Sequence, residues 1–136
     1  MDRRLCCVLR IDGNKAVFFD VHGNLKALRA VLNQIKEKNV DLTVFLGDIF
    51  QRGNEEIECL ELLKDNEIIC LKGNCELYME YGVDIDPDVE YLRGYYDETR
   101  KNLQMSRCSS SSRCRCFMKV NVMVIKYIFR IFCFQI

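Results

Sequence analysis

The sequence predicts an α/β fold built around a mostly parallel sheet. Three short apolar runs, at 16–19, 42–46 and 68–71, each end at aspartate or glycine or within two residues of it. The segments that follow the first two runs place apolar residues at helical spacing. Strands that alternate with helices in this way are typical of a parallel sheet covered by helices. With 136 residues, the chain accommodates at most one domain of this class.

The pattern begins with a strand pair and a helix. Residues 5–11 and 16–19 flank the turn signal at 12–14, so they are predicted to form either a hairpin or a frayed first strand beside a second strand. Asn24 can cap a helix, since its side chain accepts hydrogen bonds from backbone amides. The helix that follows is predicted from apolar residues at helical spacing, which are Leu25, Leu28, Val31, Leu32 and Ile35.

The pattern then repeats. Residues 42–46 are predicted as a strand, and a second helix around 57–63 has glutamates near its start, where the helix dipole favours them. Residues 68–71 are predicted as a third strand and are followed by a loop. Pro87 is predicted to open a last helix that ends near Leu103, because proline is tolerated at a first helical position.

The charge distribution divides the chain. Residues 1–98 contain 20 acidic and 12 basic side chains, whereas residues 99–136 contain eight basic and no acidic ones. The helical and strand patterns end at the same place. We therefore predict a domain at 1–103 and a basic, serine- and cysteine-rich, then apolar tail of unknown structure at 104–136. Three basic residues within 117–136 disfavour a membrane span, since each costs roughly 2.5–3.5 kcal/mol at mid-membrane.

The redox state of the nine cysteines depends on the cellular compartment of the protein. Residues 1–5 are too short and too charged for a secretory signal, so a cytoplasmic protein with reduced cysteines in its first part is predicted. Cys108, Cys114 and Cys116 lie in the tail without the C-x-x-C spacing typical of structural zinc sites. The basic tail also lacks the aromatic and glycine pattern of RNA-binding motifs, so nucleic acid is not a predicted partner.

Chemically versatile side chains follow each strand of the pattern. Asp20 and His22 follow the first parallel strand, Asp48 follows the second, and Asn74 follows the third. Intervals of 28 and 26 residues separate Asp20 from Asp48 and Asp48 from Asn74, close to the roughly 30 residues of one βαβ unit. Because the carboxyl ends of parallel strands meet at one edge of a sheet, these four side chains are predicted to converge there.

This donor set is suited to transition metals. Mixed nitrogen and oxygen ligands favour Mn, Fe or Zn over Ca. Two such cations about 3.5–4 Å apart can clamp a phosphate during in-line displacement. Arg52 offers a planar guanidinium for phosphate oxygens. The simpler alternatives are that Asp20 and Asn74 only shape turns and that Arg52 is an ordinary exposed arginine.

The three motifs together resemble a known family. Asp20-x-His22, Gly47-Asp48-x-x-x-Arg52-Gly53 and Gly73-Asn74-x-Glu76 are similar to the first three signature blocks of the calcineurin-like metallophosphoesterases, over about 15–103. The resemblance implies a layered sheet with flanking helices and two divalent metal ions. It implies that Asp20 and His22 bind the first metal, that Asp48 bridges and that Asn74 binds the second. It also implies that Arg52 contacts the phosphoryl group of a small molecule, nucleotide or phosphoprotein.

The last block refines and limits the resemblance. Glu76 is typical of the phosphoprotein phosphatase and diadenosine-tetraphosphatase branch. Cys75, however, occupies the position of the family's catalytic histidine, and a thiol is a poorer proton donor than an imidazolium. His22 is the single histidine in the chain, so the family's later metal-binding histidines are absent. The C-terminal half of the family fold is therefore interpreted as missing or replaced, which would weaken the second metal site.

The sequence thus predicts a metal-dependent phosphoester hydrolase, either a phosphatase or a phosphodiesterase, with impaired activity. The alternative is a non-catalytic remnant or a module that binds phosphate or a partner. A frameshift in the coding sequence would explain the change in composition after about 103. Loss of later strands would leave an exposed sheet edge through which copies of the chain could associate.

Overall fold

The computed structural model describes residues 7–66 and 68–107, with side chains as far as Leu103. Within these ranges four strands and four α-helices follow one another along the chain. They are β1 (Val8–Asp12), β2 (Lys15–Phe19), α1 (Leu25–Glu37), β3 (Leu42–Phe45), α2 (Glu56–Asp65), β4 (Ile69–Cys70), α3 (Asn74–Tyr81) and α4 (Arg93–Arg107).

The strands form one sheet in the spatial order β1-β2-β3-β4. β1 and β2 form an antiparallel hairpin, with Val8 opposite Phe19 and Asp12 opposite Lys15. β2 pairs with β3 and β3 with β4 in parallel. The predicted α/β class, the hairpin and the mostly parallel sheet are confirmed. β4 is an edge strand of this sheet, and association of copies through it stays a prediction.

The helix α1 begins where the sequence predicts. The side chain of Asn24 accepts a hydrogen bond of 2.9 Å from the backbone N–H of Ala27, which caps the first turn. The buried face of α1 contains Leu28, Val31, Leu32 and Ile35. Because β2, β3 and β4 are neighbours in chain order, right-handed crossovers place α1 and α2 on the same face of the sheet, where they contact each other.

The core lies between this sheet face and the helices. Phe18 of β2 and Phe45 of β3 are fully buried, and their ring centroids are 5.1 Å apart. Val17 and Val44 are neighbours in the parallel register and are also buried, although they belong to the alternate side-chain set of the two strands. Burial on both faces is typical of central parallel strands, and it makes β2 and β3 the rigid base from which the following turns emerge.

The region after β4 differs from its prediction. Residues 74–86 were expected as a loop, which is wrong, because they contain α3 and a 3₁₀ turn (Val83–Ile85). The apolar spacing of α3 is weak, so periodicity did not reveal it. Pro87 opens a 3₁₀ segment (Pro87–Leu92) before α4 begins at Arg93. Gly82 ends α3 with a φ of 87°, a conformation that glycine adopts readily.

The predicted tail at 104–136 falls almost entirely outside the described residues. The backbone of α4 continues through the predicted boundary to Arg107. The domain division at 103, the tail cysteines and the question of a span at 117–136 therefore stay predictions. Between Cys7 and Arg107, apart from residue 67, none of the helices combines the length and the apolar character that crossing a membrane requires.

Candidate metal and phosphate site

The turns that follow β2, β3 and β4 lie side by side at one edge of the sheet. The backbone N–H of His22 donates to the carbonyl of Asp48 at 2.9 Å, and the N–H of Gly23 donates to the carbonyl of Ile49 at 2.7 Å. These bonds continue the β2–β3 pairing beyond the strands. The structure therefore brings Asp20, His22 and Asp48 to the same edge, as the strand order predicts.

The imidazole of His22 is buried and its tautomer is determined by one contact. Its Nδ1 lies 2.7 Å from the backbone carbonyl oxygen of Phe50. Because a carbonyl oxygen can only accept, Nδ1 must hold the proton, and the neutral ring then has a lone pair on Nε2. This Nε2 faces Oδ1 of Asp20 at 4.0 Å, too far for a hydrogen bond. A backbone carbonyl that orients a histidine in this way is typical of metal ligands.

Asp20 lies in an environment that disfavours its charge. Partial burial raises the pKa of its carboxyl, the nearby carboxylate of Asp48 raises it further, and the electrostatic interactions with the His22 ring and with Arg52 oppose these effects. The side chain is 41% exposed, so the site is open to solvent on this side. Two carboxylates close together repel each other, and a bound cation would relieve that repulsion.

The side-chain amide of Asn74 faces the carboxylate of Asp48. The structure places the amide oxygen 3.0 Å from Oδ1 and 3.2 Å from Oδ2, so acceptors face acceptors. In the reversed orientation the amide nitrogen would donate to both oxygens. The reversed orientation satisfies both groups and is therefore assigned, while a bound cation would require the amide oxygen to turn toward it. Oδ1 of Asp48 also accepts from the backbone N–H of Cys75 at 3.0 Å, which holds the carboxylate in place.

Left-handed backbone conformations cluster at this edge. Six non-glycine residues within the described ranges have positive φ, and five of them belong to the turns after β2 and β3. For a residue with a side chain, this conformation costs roughly 1–2 kcal/mol and persists only where the surroundings impose it. Backbone strain of this kind is concentrated at functional sites. The five residues are Asp20 (61°), His22 (48°), Asp48 (65°), Gln51 (72°) and Arg52 (74°).

Two glycines make the close approach of the turns possible. A Cβ on Gly47, whose φ is 108°, would lie 2.1 Å from the backbone nitrogen of Gly73. A Cβ on Gly53 would lie 2.2 Å from the carbonyl oxygen of His22. Neither position can accept a side chain without moving backbone, so the glycines of the motifs are required by packing between the three turns.

Glu76 has a structural role that the sequence reasoning missed. Its side chain is 4% exposed, and its carboxylate accepts backbone N–H bonds from Asp48 (2.7 Å), Ile49 (2.8 Å) and Gly73 (2.7 Å). Burial raises the pKa of this carboxyl, while the three N–H donors oppose that rise. Glu76 thus joins the turn after β3 to the start of α3. A glutamate at the third position of a helix, where it can accept from the cap residue, was the signal available in the sequence.

Cys75 is buried beside the candidate ligands. Burial raises the pKa of its thiol to about 12, although a hydrogen bond with Tyr96 opposes the rise. The thiol is therefore protonated and inert at neutral pH. The prediction that Cys75 replaces a catalytic histidine stays untested, but this environment favours a passive substitution.

Arg52 lies at the open side of the site. Its side chain is exposed, and among the described residues it makes no hydrogen bond. The next residue, Gly53, packs against the carbonyl oxygen of His22, so Arg52 belongs to a turn that borders the site. Its positive charge opposes the rise that burial causes in the pKa of Asp20. An exposed arginine at this border can bind an anion that a cation holds at the same place.

Two observations limit the site. Among residues 7–66 and 68–107, the structure contains no group of three histidine, cysteine, aspartate or glutamate side chains arranged to hold a metal ion. Asp20, His22 and Asp48 therefore share one edge of the sheet without forming, as they stand, a three-ligand metal group. A cavity of about 330 Å³ lies elsewhere, at the amino ends of β3 and β4, where Ile35, Thr43 and Ile68 form part of its lining.

Comparison with known proteins is consistent with this geometry. The family model described as calcineurin-like phosphoesterase matches residues 16–131. An uncharacterized protein from Methanocaldococcus jannaschii is 39% identical over 80 residues, which are 59% of this chain and 31% of that protein. The chain thus spans about a third of the length of this curated relative. No solved structure matches the chain significantly.

Proposed function

The chain belongs to the calcineurin-like phosphoesterase family, and on that basis we propose that it is a metal-dependent phosphoester hydrolase. The observation that supports this most strongly is the convergence of acceptor atoms at the edge of the sheet. Nε2 of His22 and the carboxylates of Asp20 and Asp48 gather there, and the side-chain amide of Asn74 lies within 3.2 Å of the Asp48 carboxylate. Such a cluster is costly without a cation and suits a divalent one.

The proposed ligand roles follow from these positions. Asp20 and His22 would hold one cation, Asp48 would bridge, and Asn74 would hold a second with fewer protein ligands. Divalent cations of this kind, Mn, Fe or Zn, supply an activated water and neutralise charge on the phosphoryl group. Because the second cation would have only Asp48 and Asn74 from the described residues, we propose that it binds more weakly than the first.

The remaining residues would orient the substrate. Arg52 would bind phosphate oxygens from the open side of the site, since it is exposed in the turn that packs against His22 and its side chain makes no hydrogen bond within the described residues. Glu76 would maintain the position of Asp48 through its backbone bonds. The substrate would be a phosphate monoester or diester of a small molecule, nucleotide or phosphoprotein. The buried, reduced thiols Cys59 and Cys75 favour the cytoplasm as the location.

A second candidate function is phosphate binding without turnover. The thiol of Cys75, with its pKa raised to about 12, cannot protonate a leaving alkoxide efficiently at neutral pH. A chain that holds metal and phosphate but lacks a donor for the leaving oxygen would cleave the P–O bond slowly or not at all. A chain that binds inorganic phosphate but hydrolyses no phosphate ester would match this candidate and not the first.

The decisive experiment compares the unsubstituted chain with Asp48→Asn and Asp65→Asn. Asp65 is an exposed aspartate at the end of α2, so Asp65→Asn is the matched control. Hydrolysis of p-nitrophenyl phosphate and its bis-ester is measured with and without Mn²⁺, together with the melting temperature. Activity and a Mn²⁺-dependent stabilisation that require Asp48 but not Asp65 would support the hydrolase. The hydrolase proposal would be contradicted by a folded chain whose melting temperature does not change with Mn²⁺ and which hydrolyses neither ester.

A further inference from the structure

One loop of the candidate site is held in place from outside the three motifs. Gln51 and Arg52 are consecutive and have φ values of 72° and 74°. Two successive left-handed residues with side chains need contacts that impose the conformation. Those contacts come mainly from α4, whose residues 95 and 96 follow this loop by more than forty positions.

The hydroxyl of Tyr95 is the central contact. It accepts the backbone N–H of Gln51 at 2.6 Å and donates to Oε1 of Glu56 at 2.7 Å. Because its one hydrogen is directed to the carboxylate, its lone pairs are available for the N–H of Gln51. A single oxygen atom thus ties the start of the loop to α4 and to the first residue of α2.

The side chain of Gln51 is held as well. Its Oε1 lies 3.4 Å from the hydroxyl of Tyr96 and 3.6 Å from Sγ of Cys75. The rings of Tyr95 and Tyr96 pack edge to face with centroids 5.0 Å apart. Tyr96 is 1% exposed, so this pair cannot shift without disturbing the core. Gln51 is consequently held through both its backbone and its side chain.

Arg52, the next residue, has no such contacts. Its side chain is exposed and makes no hydrogen bond within the described part of the chain. The backbone at 51 and 52 therefore sets where, and in which direction, its side chain leaves the chain. We propose that Tyr95 is a positioning residue for phosphate binding, which holds this loop against the turn after β2 so that the side chain of Arg52 starts at the border of the site. The proposal depends on the proposed function, since it takes Arg52 to bind phosphate.

The test is a double-mutant cycle read by calorimetric titration of inorganic phosphate in the presence of Mn²⁺. Tyr95→Phe keeps the ring and removes the hydroxyl, and Tyr91→Phe is the control because Tyr91 is 78% exposed. We expect Tyr95→Phe to weaken phosphate binding about tenfold, the factor that corresponds to roughly one hydrogen bond. Tyr91→Phe should leave the affinity unchanged. In an Arg52→Ala background, Tyr95→Phe should change it by less than about twofold.

Other outcomes would overturn the inference. An equal loss in both backgrounds means that Tyr95 acts through general stability and not through Arg52. Unchanged affinity in Tyr95→Phe means that the loop does not need the hydroxyl. If Tyr95→Phe does not fold, Glu56→Ala takes its place in the same double-mutant cycle, because it removes the carboxylate that accepts the hydrogen bond of the Tyr95 hydroxyl. Failure of the unsubstituted chain to bind phosphate would refute the proposed function together with this inference, and that failure is visible before any substitution is made.

Discussion

Glu76→Gln tests whether one buried carboxylate holds the site turns together. Oε2 of Glu76 accepts from the N–H groups of Asp48 and Gly73, and Oε1 accepts from that of Ile49. A glutamine has the same shape but only one oxygen. If that oxygen takes the place of Oε2, the amide NH₂ group takes the place of Oε1. The backbone N–H of Ile49 then faces another donor and loses its acceptor. The substitution therefore removes one bond and weakens two.

The magnitude follows from these three bonds. An unsatisfied buried donor costs about 1–3 kcal/mol, and each remaining bond loses roughly 1 kcal/mol when its acceptor becomes neutral. Burial of a neutral amide in place of a charge offsets part of this loss. We expect the free energy of unfolding to fall by about 2–4 kcal/mol.

Urea unfolding followed by circular dichroism measures this change. The matched control is Glu80→Gln on the same helix, where Glu80 forms a surface ion pair with Lys72, and the expected loss is under about 1 kcal/mol. A loss for Glu76→Gln no larger than that of the control would refute the reasoning, because it would mean that the three N–H groups find other partners.

Three further predictions concern single positions. Gly47→Ala should destabilise the chain by more than about 3 kcal/mol or prevent folding, because its Cβ would lie 2.1 Å from the backbone nitrogen of Gly73. The control is Gly94→Ala, where a Cβ would have nothing within 4 Å. This control should be neutral or stabilising in urea titrations. Burial, with smaller effects of nearby carboxylates, raises the pKa of Cys59 to about 12. Its alkylation by iodoacetamide, followed by mass spectrometry, should stay slow from pH 7 to 9 and become rapid in guanidinium; rapid labelling of the folded chain would contradict this. Asn24→Ala should cost about 1 kcal/mol in the same unfolding assay through loss of the cap, and an unchanged midpoint would show that the cap is dispensable.

Much of the framework follows from local sequence patterns. The parallel strands and the first two helices are predicted, and the hairpin is one of the two arrangements predicted for the first strands, because apolar periodicity and turn residues report directly on strands and helices. The gathering of Asp20, His22 and Asp48 followed from one rule, that parallel strands end at a common edge. Family membership followed from the motifs at those ends. The weakly periodic helix α3 was the element that local patterns did not reveal.

The contacts that give the site its shape depend on residues far apart in the sequence. Glu76 reaches back 27 and 28 positions to the turn after β3, and Tyr95 reaches back 44 positions to Gln51. A glutamate and a tyrosine are compatible with many environments, so neither residue type predicts such a partner. By itself the sequence determined which donor groups stand at the strand ends, since strand and turn signals are local. Only the tertiary structure decided how those turns are held, because long-range hydrogen bonds form only after the chain has folded.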